Sequence, residues 1–226
     1  MMVSAAGVSA GDAHSLPPSE KQDAVPALVY PATRALPLVE EKFGQQIADP
    51  YRWLENDVRT DAQVEGWVAA QNKVTDAYLD TLPGRDVLKT RMRTLFDYER
   101  YSVPRKAGGR YFYTFNTGLQ NQSPLYVRDG AMGHGRLLID PNTWAKDGAT
   151  ALAEWEAAPD GKHLVYAVQD GGSDWRTLHV IDVTSGAVLP DRVAWSKFSR
   201  LEWDKAGEGF FYSRFPAPEQ GREYLN

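Results

Sequence analysis

The chain has 226 residues, room for one domain or two, and its 42% hydrophobic and 24% charged residues are an ordinary globular balance. A formal net charge of −5 without a basic run argues against nucleic acid or an anionic membrane as partner. The absence of cysteine excludes disulfides, thiolate metal sites and a Cys nucleophile, and the longest apolar runs are too short to span a membrane.

Residues 1–30 read as a disordered leader or the remnant of a secretory signal. Residues 1–13 are small and mildly apolar but lack a basic start, so localisation stays open between periplasm and cytoplasm. GVSAG (7–11) fits the G-x-S-x-G of a serine-hydrolase elbow. That elbow needs a buried strand feeding a strained turn into a helix, so that the Ser oxygen stands beside backbone N–H groups. Here MMVSAA precedes Gly7, and Pro17-Pro18 follow without a helical period. Ser9 is therefore read as a chance match.

Residues 31–97 read as a helical segment. DPYRWLEND (49–57) suggests a short helical turn. Val64, Trp67, Val68, Val74, Tyr78 and Leu82 then recur at helical spacing, with Thr60 and Gln63 as a capping box and Pro83-Gly84 as the stop. A second helix is expected over 85–97, packing through Leu88, Met92, Leu95 and Phe96.

Near Asp97 the apolar period changes from helical to alternating. RYFYTFN, PLYVRD, RLLID, HLVYAVQD, TLHVIDV and GFFYSRF read as strands separated by turn residues such as Pro159-Asp160-Gly161. Trp155 and Trp203 precede turns, and Tyr113, Tyr166 and Tyr212 close apolar triplets. The spacing, roughly 50 residues with about four short strands per period, favours the first blades of a β-propeller over residues 98–226; a flat β-sandwich is the alternative. Two blades and part of a third cannot close a ring, so the chain is expected to belong to a longer one.

Direct signals of chemistry are sparse. His14, His134, His163 and His179 have no metal-ligand spacing, and His163 and His179 are expected on exposed strand faces. Phosphate- and dinucleotide-binding glycine motifs are absent, and no metal or cofactor is implied. Asn121-Gln122-Ser123 matches a glycosylation acceptor but precedes Pro124. Three stretches carry more than turn chemistry requires: NTGLQNQSPLYV (116–127), DGGSDWRT (170–177) and WSKFSRLEW (195–203).

Together with DPYRWLEND, VAAQNKVT, LFDYERYS, LIDPNTWAKDGATAL and KFSRLEWDKAGEGFFYS, these stretches resemble the prolyl oligopeptidase family in the family's order. The resemblance implies a two-domain serine peptidase. A seven-bladed propeller covers an α/β-hydrolase domain that carries a Ser-Asp-His triad, and short peptides are cleaved after proline. Residues 31–97 would pack on the hydrolase domain, and the propeller segment would gate access to it. The nucleophile's G-G-S-N-G-G motif does not occur here, so the triad is expected beyond this chain, which alone would be inactive. By KFS, Phe198 resembles the aromatic residue of a substrate subsite; by GSDW, Asp174 resembles an acidic residue near the substrate's amino end. For Phe198, packing within a blade is the alternative reading. Expected partners are short proline-containing peptides and the hydrolase domain, in a protein monomeric when complete. A non-enzymatic peptide-binding propeller and a related oligopeptidase of basic-residue specificity are the alternatives.

Overall fold

A computed structural model describes residues 28–218, which divide between Thr81 and Leu82 into two compact units. The sequence readings at Ser9 and His14 lie outside the described residues.

In the first unit, β1 (Val39–Lys42) and β2 (Gln45–Ala48) form an antiparallel hairpin. Its loop, Phe43-Gly44, takes φ of 55° and 72°, the left-handed pair that a two-residue hairpin needs. DPYRWLEND ties the hairpin to its surroundings. Arg52, in a short 3-10 turn (Arg52–Glu55), donates to both Glu40 carboxylate oxygens at 3.0 and 2.8 Å and also to Asp49. Lys42 and Arg52 together hold the Glu40 carboxyl down at about 2. Trp53 Nε1 donates to the Arg34 carbonyl and Trp67 Nε1 to Thr33 Oγ1, each at 2.9 Å, so two indoles tether the extended segment before the hairpin.

Trp67 lies on α1 (Ala62–Asp80), and Val64 is buried there. The helix is capped by Asp61, whose carboxylate accepts from the backbone N–H groups of Gln63 and Val64. The capping box expected from Thr60 and Gln63 does not form; the cap is Asp61 alone, since Val64 at the third helical position has no group to bond back. A carboxylate at the cap satisfies two free donors and complements the helix dipole, whereas Thr60 Oγ1 donates to the Asp57 carbonyl.

The second unit opens with α2 (Arg85–Phe96), whose Leu88, Met92, Leu95 and Phe96 recur as read from the sequence but remain more than half exposed. Strands come directly after it. β3 (Arg100–Tyr101) and β4 (Arg105–Ala107) are two halves of one strand along β5 (Arg110–Asn116). Between them stands Pro104, which has no N–H to give. Ser102 bridges the gap: its N–H donates to the Thr114 carbonyl, and its Oγ accepts from the Thr114 N–H. β6 (Leu125–Asp129) and β7 (Arg136–Ile139) complete this antiparallel sheet.

The second sheet is a plain meander of β8 (Ala151–Ala157), β9 (His163–Gln169), β10 (Arg176–Asp182) and β11 (Val188–Ser196). β12 (Glu202–Trp203) and β13 (Phe210–Phe211) pair as a further sheet. These sheets account for the sequence repeat. Trp155 and Trp203 sit on the first strands of successive sheets, while Tyr113 and Tyr166 sit on second strands and Tyr212 follows one.

The second sheet is buried on both faces. Leu164, Tyr166 and Ile181 pack with Phe112, Leu125, Val127 and Ile139 of the first sheet. The alternate residues Val165, Ala167, Leu178 and Val180 form a separate core with Leu201, flanked by Trp203 and Phe210. That is why HLVYAVQ reads as a continuous apolar run: a strand between two neighbours has no solvent side. The first sheet, by contrast, turns Tyr101, Tyr113, Phe115 and Tyr126 away from this core as an aromatic ladder, with Tyr101 stacked on Phe115 at 4.4 Å.

Arginines stitch the first two sheets. Arg105 donates to the Trp155 carbonyl and to Glu156, with its guanidinium 4.4 Å from the Trp155 ring centre. Arg110 donates to the Gly161 carbonyl and Arg136 to that of Val183. At one point the backbones themselves touch. A Cβ on Gly108 would overlap the Asp160 carbonyl oxygen, and one on Gly161 would lie 2.6 Å from that of Ala107.

Candidate functional site

The three informative stretches have different fates. NTGLQNQ folds as a polar knot behind β5. Asn116 is 2% exposed. Its amide donates to the Gln120 and Gln122 carbonyls and to Ser123 Oγ, while its oxygen accepts from the Gly118 N–H. Gln122 and Asn142 bond reciprocally, tying the β5–β6 loop to the segment after β7. This stretch is structural in all its visible contacts.

The other two stretches meet. DGGSDW is the β9–β10 turn, shaped by Gly171 and Gly172 at φ of 55° and 75°. Thr150 Oγ1 donates to the Asp170 carboxylate at 3.0 Å, and Gln169 donates to the Ser173 carbonyl at 2.6 Å. The turn delivers Trp175 against Trp195 (5.5 Å) and Phe215 (5.8 Å), both edge to face. Asp174, next to Trp175, is exposed.

Around the end of β11, Trp195 and Phe198 adopt φ of 63° and 54°. Side chains with a Cβ hold that conformation at a cost of about 1–3 kcal/mol each, so neighbouring contacts must fix it. Those contacts are present. The Phe215 N–H donates to the Trp195 carbonyl, Ser196 Oγ to the Ser213 carbonyl, and the Ser213 N–H to Ser199 Oγ. Between these anchors Lys197 is only 7% exposed, with its Nζ 4.4 Å from the centre of the Trp175 ring. Phe198 is turned outward and is 75% exposed, so it is not packed inside the sheet among the described residues.

The result is a surface with an exposed phenyl ring, a half-buried indole and a carboxylate. It can contact an apolar side chain and attract an ammonium group. Bond breaking would need a nucleophile held by a base, and no such pair lies in this cluster. A serine, an aspartate and a histidine do meet elsewhere, at Ser185, Asp182 and His163. There Ser185 Oγ donates to the aspartate itself at 2.7 Å, and His163 Nε2 lies 4.0 Å from the same carboxylate. A triad requires the hydroxyl on the imidazole and the imidazole on the carboxylate, so this is turn chemistry. The Ser185 N–H and hydroxyl hold the Asp182 carboxyl low. Among the described residues no group of three or more His, Cys, Asp or Glu could hold a metal, and no helix is long and apolar enough to cross a membrane.

His179 differs from its sequence reading. It is half-buried, stacked on Tyr166 at 5.5 Å, and burial, aided by Arg192, pushes its pKa down. Lys197, Trp195 and Phe215 are members of the cluster that the sequence did not single out. Lys197 stands inside the quoted KFS, but nothing in the local pattern says that its side chain is buried.

Consecutive antiparallel meanders, one of them buried on both faces, define a β-propeller segment. Residues 30–225 match the family description "Prolyl oligopeptidase, N-terminal beta-propeller domain", and the chain belongs to the prolyl oligopeptidase family. It is 37% identical over 194 residues to a prolyl endopeptidase of Elizabethkingia meningoseptica, covering 86% of this chain and 27% of that one. A solved chain from a structural study of two prolyl endopeptidases superposes with a TM-score of 0.72 at 37% identity, over 85% of this chain and 28% of its own length. Prolyl oligopeptidase B from Galerina marginata, solved with a 35mer hydrolysis and macrocyclisation substrate, gives 0.66 at 31% identity, over 84% of this chain and 30% of that one. The chain thus spans little more than a quarter of the length of these relatives.

Proposed function

We propose that this chain is the N-terminal part of a serine-type prolyl oligopeptidase that cleaves short peptides after proline. The match to the family's N-terminal propeller over residues 30–225 carries the reading. In this reading residues 31–97 pack on an α/β-hydrolase domain supplied by a later part of the same polypeptide, and residues 98–226 begin a seven-bladed propeller. The exposed apolar stripe of α2 supports the first half, because an amphipathic face of this kind needs a cover. The aromatic ladder of the first sheet, half-buried at Tyr113, Phe115 and Tyr126 and exposed at Tyr101, supports the second, since ring closure would bring a last blade against it.

The propeller part restricts access to the reaction centre, and the triad lies in the hydrolase domain. There a serine would attack the carbonyl after proline, a histidine would take and return the proton, and an aspartate would orient the histidine. From this chain, Phe198 offers its exposed ring to a substrate side chain and Asp174 its carboxylate to the peptide's amino end. The complete protein works as a monomer without metal or cofactor.

The test is expression of the full-length protein and assay against a Gly-Pro chromogenic peptide beside an Arg-containing analogue without proline. Cleavage after proline, abolished by a serine-directed phosphonate, is expected. Cleavage after arginine alone, or none, overturns the reading. The 226-residue chain by itself should be inert in the same assay.

A further inference from the structure

Lys197 is the least expected member of the cluster. The residue is only 7% exposed, and its stem runs inside the cluster. Its ammonium meets ring faces: Trp175 at 4.4 Å, Phe215 at 5.5 Å and Phe198 at 5.8 Å from the ring centres. The negative faces of aromatic rings attract an ammonium at these distances. The three rings come from three separate places in the chain. Trp175 lies on the β9–β10 turn, Phe198 follows β11, and Phe215 follows β13.

We infer that Lys197 is a positioning residue: clasped by these rings, its ammonium fastens the 170–176 turn to the 195–199 turn and fixes the outward aim of Phe198. Phe198 needs such fixing, because its left-handed backbone is unfavourable for a residue with a Cβ and its ring is too exposed to be held by packing. The serine bonds to Ser213 hold the backbone on either side of Lys197, and the ammonium reaches across to the turn carrying Trp175 and Asp174, beside the Trp175–Trp195 ring contact and the Arg176–Ser196 strand pairing. Its role in peptide binding rests on the proposed contact between Phe198 and substrate.

The test uses the full-length protein and four forms: wild type, Lys197→Met, Lys197→Arg and Phe198→Ala. Met keeps length and apolar bulk and removes the charge; Arg keeps the charge. Two peptides ending in Gly-Pro at the cleaved bond, with Phe or Ala in front of the Gly, measure how much the Phe ring is preferred. Lys197→Met should lower that preference on the order of tenfold, through KM and with kcat unchanged, and Lys197→Arg should restore most of it. Hydrogen exchange across 170–176 and 195–199 should quicken in both segments for Met and in neither for Arg, whether or not peptides are cleaved. If Phe198→Ala abolishes the preference while Lys197→Met keeps it, or if exchange in the two segments is unchanged in Lys197→Met, the positioning role is wrong. If Phe198→Ala itself keeps the preference, the subsite reading fails, and with it the role of Lys197 in binding.

Discussion

Asn116 shows what one buried amide can do. It satisfies three acceptors and one donor of the β5–β6 loop from inside the sheet. Asn116→Ala leaves those groups without a partner, and should lower unfolding stability by about 1–3 kcal/mol, read as a shifted urea midpoint with unchanged slope. Glu40 offers a pH test. Its carboxyl is held at about 2 when folded, against an ordinary 4.5. Its contribution is therefore complete above pH 4.5 and is lost as pH falls through 2. A carbon-detected titration should place its midpoint near 2, with the β1–β2 hairpin loosening below; a midpoint near 4.5 would contradict the Arg52 and Lys42 pairing. At this scale the sequence was informative only where a motif marks the residue. Phe198 and Asp174 stand in quotable motifs. Lys197 does not announce itself, because a lysine's burial depends on rings 18 to 22 residues away in the sequence.

At the scale of elements, β5, β6, β7, β9 and β10 followed from alternation, whereas the β1–β2 hairpin inside the segment read as helical, and β8 and β11, were not read from the sequence. The apolar run HLVYAVQ could not by itself distinguish a sheet buried on both faces from a core helix; only the neighbouring sheets decide it. His179 was misplaced for a related reason. Alternation assigns it a face, but that face is covered by Tyr166. Its lowered pKa gives a slope of defined sign. Below the ordinary 6.5 the unfolded chain gains a proton that the folded chain resists, so stability is full above pH 6.5 and falls as pH drops below it. Denaturant midpoints measured from pH 7 to 5 should show this fall, and His179→Phe should flatten it. The turns between sheets give a sharper contrast. Gly108→Ala meets the Asp160 carbonyl at a distance no backbone allows, whereas a Cβ on Gly109 meets open space at a similarly positive φ. Gly108→Ala should cost more than about 2 kcal/mol and Gly109→Ala about 1, compared by thermal unfolding.

For the whole molecule, the family was legible from ordered motifs because those motifs have fixed structural jobs. DPYRWLEND ties a hairpin to the chain before it, and NTGLQNQ knots a loop. The apolar period changes near Asp97, while the compact units part after Thr81 and leave α2 with the strands. Periodicity reports the type of an element and is silent about which elements it touches. The aromatic ladder and the α2 stripe also bear on solution behaviour. An exposed and a half-exposed apolar face should make the isolated 226-residue chain self-associate and melt without a sharp two-state transition, as checked by light scattering and calorimetry. A monomer with one cooperative transition would show that neither face needs a cover.

The meeting of Gly108 with Asp160 and Gly161 also limits how the assembly can breathe. Where main chain rests on main chain there is no cushion of side-chain rotamers to absorb sliding, and three arginines clamp the same seam. The first two sheets should travel as one rigid wedge. Any widening that admits a bulky guest must then come from joints of another kind, such as the next seam, where the side chains of Leu201, Trp203 and Phe210 rest on the second sheet.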